Sequence, residues 1–398
     1  MEVDFLKQAA QEMKPWLSRT RRDFHMHPEL GNKEFRTSRI IQDSLSEFGI
    51  DFQTYEDSTA VVGLICGAHE GKTVAIRADM DALPIQEENE VPYRSLTPGV
   101  MHACGHDAHT AVLLGTARLF SQYREQLHGN IRLLFQPAEE TTGGAEKMVT
   151  AGCMKNPDTD YVIGLHVSSH PAGTIEIRKG AVYGASDQID IRVLGKQAHG
   201  AHPDTGVDAI AISAQVVTAL QNLVSRKISP VDSAVFTIGK ILGGAQRNII
   251  ADEVQMEATL RTLYPETRIF AKEQITKIAK GVSAALGGRA EVDIRESYHS
   301  LFNTDRVVDV VRGAAAELVG KENLLEDPFP SLGVEDFSYF LDAAPGAFYC
   351  LGTTNPSKEI TWPAHSSRFD IDEDCLPTGV LLHILTALRL LNGEAEET

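Results

Sequence analysis

The sequence predicts an α/β protein, a domain on a mostly parallel sheet flanked by helices, interrupted by an inserted ferredoxin-like α+β domain. Three observations predict it. Up to about residue 165, short apolar runs alternate with stretches of helical periodicity, the pattern of strands joined by crossover helices. Near Ala185 strict polar–apolar alternation takes over, as in half-buried antiparallel strands. After Tyr298 the first style returns. The domain boundaries read from these changes are 1–184, 185–295 and 296–398.

Taken in order, residues from about 5 to 50 have helical periodicity, broken by a turn at His27-Pro28-Glu29-Leu30-Gly31. Gly63–Gly67 and Thr73–Arg77 are short strands. From Asp107 to about Tyr123, Val112, Leu113, Ala117 and Phe120 recur near helical spacing, with Asp107 expected as the N-cap. A strand at Gly129–Phe135, a helix at Ala145–Ala151 and a strand at Asp160–Gly164 follow. The inserted segment reads strand (Gln188–Leu194), helix (Val207–Val224), strands (Ser233–Lys240, Glu253–Arg261), helix (Glu266–Leu286), strand (Ala290–Arg295). That β-α-β-β-α-β order is the ferredoxin-like arrangement. A helix at Val307–Val319 and a strand at Phe348–Gly352 resume the first domain.

A chain of 398 residues has room for two or three cores. Thirty-seven basic against 55 acidic residues give a net charge of −18, which disfavours nucleic acid and anionic membrane as partners. No apolar run approaches the ~18–20 residues needed to span a bilayer, and Met1–Lys7 carries no secretory signal pattern, so a cytoplasmic protein is expected. The five cysteines are odd in number, widely spaced and without a CxxC pair, which argues against a disulfide framework and for a reducing compartment. Four of them lie among apolar or small residues; Cys104 does not.

The ionisable residues cluster where strands end. Asp79-Met80-Asp81 follows one strand, Pro137-Ala138-Glu139-Glu140 the next, and Leu165-His166 a third. Between the first two lies His102-Ala103-Cys104-Gly105-His106-Asp107-Ala108-His109, at a helix start. Ligands gather at the carboxyl ends of parallel strands, and a mixture of imidazole, carboxylate and thiolate suits a borderline-soft divalent ion. Each piece alone is weak: Asp-x-Asp is commonly a turn, Glu-Glu a solvated pair, His166 a core histidine. Their convergence on one end of one sheet points to a metal site.

With these residues in view, the chain resembles the M20 metallopeptidases, and within them the amidohydrolase subfamily that cleaves N-acyl amino acids, including hippurate and auxin-conjugate hydrolases. The resemblance runs from about Arg21 to Leu391 and rests on Arg22-Asp-Phe-His-Met-His-Pro-Glu-Leu-Gly31, Arg77-Ala-Asp-Met-Asp-Ala-Leu-Pro84, Met101–His109, Phe135-Gln-Pro-Ala-Glu-Glu140 and Glu335-Asp-Phe337. It implies two divalent ions per chain, Zn2+ or Mn2+ with Co2+ or Ni2+ as options, held by Cys104, His106, Glu140, His166 and His365. It implies Glu139 as general base and Asp81 as the carboxylate that orients a ligand imidazole. The inserted domain becomes a lid and the seat of a homodimer. Its His199 is the first choice to support the developing oxyanion, with His202 second; Asn248 and Arg261 resemble residues that hold the substrate carboxylate, although Arg261 also reads as a strand-edge ion pair. The implied substrate is a small N-acyl amino acid or dipeptide. Departures are Asp204 after Pro203, Ala251 and Ser367, where relatives carry His, Pro and Pro. Three alternatives stay open: a dipeptidase or aminopeptidase of the same family, a cysteine hydrolase using Cys104 with His106 or His109, and a non-catalytic binding protein.

Overall fold

Eight strands form the larger sheet, and the order in which the chain lays them down places its polar side chains. The computed structural model describes residues 3–396. They fall into two compact units, one made of residues up to Gly180, Phe302–Pro328 and those from Asp336 onward, the other of Ala181–Leu301 with Phe329–Glu335. The chain crosses a few residues away from the sequence-read boundaries because two short strands, β7 (Gly180–Tyr183) and β14 (Leu301–Asn303), carry it over. The return of 329–335 to the second unit has no counterpart in the sequence reading.

In the first unit the helices are α1 (Val3–Met26), α2 (Phe35–Glu47), α3 (His106–Gln122), α4 (Ala145–Thr150), α7 (Asp305–Val319), α8 (Ser338–Ala343) and α9 (Leu376–Leu391). Its strands are β1 (Asp51–Thr54), β2 (Val61–Cys66), β3 (His69–Asp79), β4 (His128–Gln136), β5 (Tyr161–Pro171), β6 (Ile175–Glu176), β15 (Leu324–Leu325) and β16 (Gly346–Thr354). The sheet order is β1-β2-β4-β3-β5-β16-β6-β15. The central β4-β3-β5-β16 is parallel, and antiparallel pairs flank it. Leu17, Val112, Val311 and Leu382 from four helices close the core over Ile76, Leu133, Ile163 and Leu351.

Three sequence expectations are corrected here. Glu373–Leu391 is apolar and long enough to cross a membrane, but 78% of that window is buried inside the protein; α9 is apolar because the core covers it. Gly105, at φ 89°, is the N-cap of α3, and Asp107 lies two residues further on, within the first turn, its carboxylate accepting from Arg21 and His25 instead. The third strand does not end at Gly164. β5 runs on to Pro171 because β16 continues to pair with it, whereas β3 stops pairing after Arg77–Gly164. Beyond that point one edge of β5 is open, and His166 lies on the open stretch.

The second unit holds β8 (Ala185–Leu194), β10 (Ala234–Gly243), β12 (Glu253–Thr262) and β13 (Arg289–Glu296) in the order β10-β12-β8-β13, all antiparallel. Helices α5 (Ala209–Asn222) and α6 (Pro265–Ala285) cover one face. Ile189, Ile191 and Val193 are buried while Gln188 and Arg192 are exposed, as period-two alternation requires. A small ribbon pairs β9 (Ala198–His199) with β11 (Ile249–Ile250).

Candidate active site

Three carboxyl-side segments of the parallel sheet meet the start of α3. At the end of β3, Arg77 is buried and donates to Gln136 (2.7 Å), Asp79 (2.8 Å) and Asp336 (3.2 Å). Burial opposes ionisation of Asp79, but Arg77, His106 and His109 outweigh it and hold its carboxyl well below the ordinary range. Asp336 also accepts from the backbone N–H groups of Gly144 and Ala145, tying α4 to the same point.

Asp81 is the hub of the next layer. Its two oxygens accept from the backbone N–H groups of Glu139 and Glu140, each at 3.1 Å, and Oδ1 lies 3.2 Å from His106 Nδ1. One carboxylate thereby sets the Glu-Glu turn and the ring of His106. With Nδ1 on Asp81, His106 presents Nε2 inward; that atom is buried without a hydrogen-bond partner, 3.6 Å from Asp79 and 4.0 Å from Glu140 Oε1. Donor atoms of Cys104, His106 and Glu140 lie within 4.8 Å of one another. Cys104 Sγ is 3.4 Å from His166 Nε2, and His365 Nε2 is 3.0 Å from Glu140 Oε1. The structure therefore brings Cys104, His106, Glu140, His166 and His365 together, with Asp81 and the buried Glu139 beside them.

The electrostatics match this grouping. Burial disfavours a charge on Glu140, yet His365 and His106 pull its carboxyl down to about 2. Burial likewise opposes protonation of His106, but Asp79 and Asp81 raise its pKa well above the ordinary value. Burial pushes the Cys104 thiol up. An unpartnered imidazole nitrogen in a pocket that favours positive charge, ringed by thiol, carboxylate and imidazole donors, fits a divalent cation. His365 reaches the group from a loop whose backbone N–H donates to Ala103 (2.7 Å), its φ of 66° outside the usual range for a histidine.

The remaining sequence-read residues lie in the second unit. His199 and His202 are exposed neighbours with ring centroids 5.4 Å apart, and Gly200 donates to the carbonyl of Asn248 (2.8 Å). These three share one corner. Arg261 is elsewhere, on the inner strand β12 between Val235 and Ser186, so it is not at a strand edge. Sequence reasoning gave no role to Arg77, Asp79, Gln136 or Asp336. Their signal was a charged pair set directly into an apolar strand, and an aspartate inside the Glu335-Asp-Phe337 motif.

Comparison with known proteins places this geometry in context. The family model described as peptidase family M20/M25/M40 matches residues 75–389. A protein of Saccharolobus solfataricus named thermostable carboxypeptidase 1 is 40% identical over 395 residues, covering 98% of this chain and 99% of its own. The N-acyl-L-amino acid amidohydrolase of Geobacillus stearothermophilus is 43% identical over 307 residues, 77% of this chain and 82% of its own. Among solved structures, the Bacillus subtilis YXEP protein, described as a dinuclear metal-binding peptidase, superposes with a TM-score of 0.84 at 33% identity, covering 96% of this chain and 99% of that one.

Proposed function

The chain belongs to peptidase family M20/M25/M40, and from that premise we propose that it hydrolyses the amide bond of N-acyl amino acids, using two divalent cations held by Cys104, His106, Glu140, His166 and His365. The observation that carries the reading is the buried, unpartnered Nε2 of His106 at the centre of those donors. A bound cation pair supplies Lewis acidity, polarising the substrate carbonyl and lowering the pKa of water. Glu139 takes the proton of the attacking water and delivers it to the departing nitrogen. A C–O bond forms, the C–N bond breaks, and a carboxylic acid and a free amino acid leave. Asp81 holds the His106 ring and the Glu139–Glu140 backbone throughout.

The names of the relatives fit one chemistry. An N-acyl amino acid and a blocked peptide with a free C-terminus both present an amide whose amine side bears a carboxylate. His199, then His202, supports the oxyanion, and Asn248 or Arg261, which the fold sets apart on the second unit, receives that carboxylate. The second unit also seats a second copy. Its outermost strand β10 leaves one edge unpaired and exposes Val235, Ile241 and Leu242. A reducing, cytoplasmic setting suits a thiol ligand.

The test is hydrolysis of N-acetyl, N-benzoyl and indole-acetyl amino acids and of dipeptides, before and after chelation and after readdition of Zn2+, Mn2+, Co2+ or Ni2+. Loss on chelation and recovery with metal is the expected result. Activity that survives chelation but is lost on thiol alkylation would instead assign the chemistry to Cys104 as nucleophile. Tight binding of these compounds without turnover would mark a binding protein.

A further inference from the structure

His109 lies within reach of the candidate metal ligands, and atoms of Asp79, His106, His109 and His166 fall within 4.8 Å of one another. Its two ring nitrogens are nevertheless both engaged. Nδ1 is 2.5 Å from Asp79 Oδ1, and Nε2 is 2.9 Å from the backbone nitrogen of Val167. A backbone N–H can only donate, so Nε2 must accept; the Asp79 carboxylate accepts, so Nδ1 must carry the proton. The Nε2 lone pair that a metal would need is already committed to the main chain.

What that bond achieves follows from the sheet. β3 stops pairing with β5 at Arg77–Gly164, so Val167 has no strand on that side. The N–H and C=O of an extended residue leave from the same edge. His109 takes the place of the missing strand at the N–H. The C=O of Val167 meets His166 Nδ1 at 2.6 Å. His166 therefore donates from Nδ1 and presents Nε2 towards Cys104. Asp79, itself fixed by Arg77, holds His109, and His109 fixes the residue whose carbonyl sets the ring of His166.

We infer that His109 is a positioning residue, not a ligand: it closes the open edge of β5 at Val167 and so aims His166 Nε2 at the metal-binding group. The inference rests on the metal reading proposed above, and the test separates the two. The parent protein, labelled with 15N-histidine and loaded with 113Cd2+, is expected to show 15N–113Cd coupling at His106, His166 and His365. His109 should show none and remain a neutral Nδ1–H tautomer. Coupling at His109 would overturn the inference while leaving the metal reading intact. Absence of coupling at every histidine would overturn the metal reading and the inference with it.

A variant pair adds the functional side. In H109Q one amide offers a donor and an acceptor at imidazole-like spacing, whereas H109A offers neither. Titrated with Co2+ and followed by the thiolate-to-cobalt absorption, H109Q should bind within about threefold of the parent. H109A should lose about 10–100-fold in affinity, the usual effect of removing a partner that orients a ligand. A folded H109A with parental Co2+ affinity, or a folded H109Q weakened as much as H109A, contradicts the role. Should H109A fail to fold, the cadmium coupling pattern of the parent decides alone.

Discussion

Glu139 and Glu140 are adjacent in sequence, yet the fold gives them different surroundings. Glu140 lies 3.0 Å from His365 and 4.0 Å from His106, inside the donor group; Glu139 is buried beside it with its N–H on Asp81. Glu139→Gln should therefore retain bound metal while kcat falls by about 10²–10⁴-fold, the usual worth of a general base. Metal analysis beside steady-state kinetics checks it, and full activity would remove the assignment. Away from the site, His383 lies in α9 with Nδ1 2.8 Å from the Tyr349 hydroxyl. Burial pushes its pKa from 6.5 down to about 3. The unfolded chain takes up a proton below pH 6.5 that the folded one refuses, so stability is complete above 6.5 and falls as the pH drops. At pH 4 this one residue costs about 3 kcal/mol. His383→Gln should flatten the fall in urea midpoint between pH 7 and 4; an unchanged slope would show that His383 contributes nothing to it.

At the scale of elements, the site depends on how α3 and β5 are held. Gly105 adopts φ 89° at the head of α3, and an added Cβ would lie 2.3 Å from Val167 Cγ2. Backbone strain and the clash together should make Gly105→Ala cost about 2–4 kcal/mol in urea unfolding. Arg77→Met should cost about 3–5 kcal/mol, because Asp79 and Asp336 lose the buried counter-charge they share. A variant within 1 kcal/mol of the parent would show that other groups suffice. These elements also show what the sequence made legible. Strands and helices with clear periodicity were readable to within a few residues, and so was the clustering of Asp81, Cys104, His106, Glu140 and His166, since strand ends of a parallel sheet share one side. The extension of β5 past Gly164 was not, because a strand end depends on which neighbour continues to pair. The engagement of His109 was hidden for the same reason: only the fold reveals a bare strand edge beside it.

For the whole molecule, the expectation is that two copies meet through the second unit. Leu242→Glu, on the open edge strand β10 at 55% exposure, should convert a dimer into a monomer in sedimentation velocity without unfolding it. A monomeric parent would remove the proposal. The contribution of His199 and His202 belongs to this scale too, since both lie in the second unit and the sequence offered only a motif for their role. The proposed chemistry requires that one polar cluster, assembled from four separate stretches of chain, holds paired cations. Anomalous diffraction at the zinc edge from Zn2+-loaded crystals tests this most directly. The prediction is two peaks, each about 2.0–2.3 Å from donors drawn from Cys104, His106, Glu140, His166 and His365. No peak there, or zinc bound only at other side chains, would contradict it.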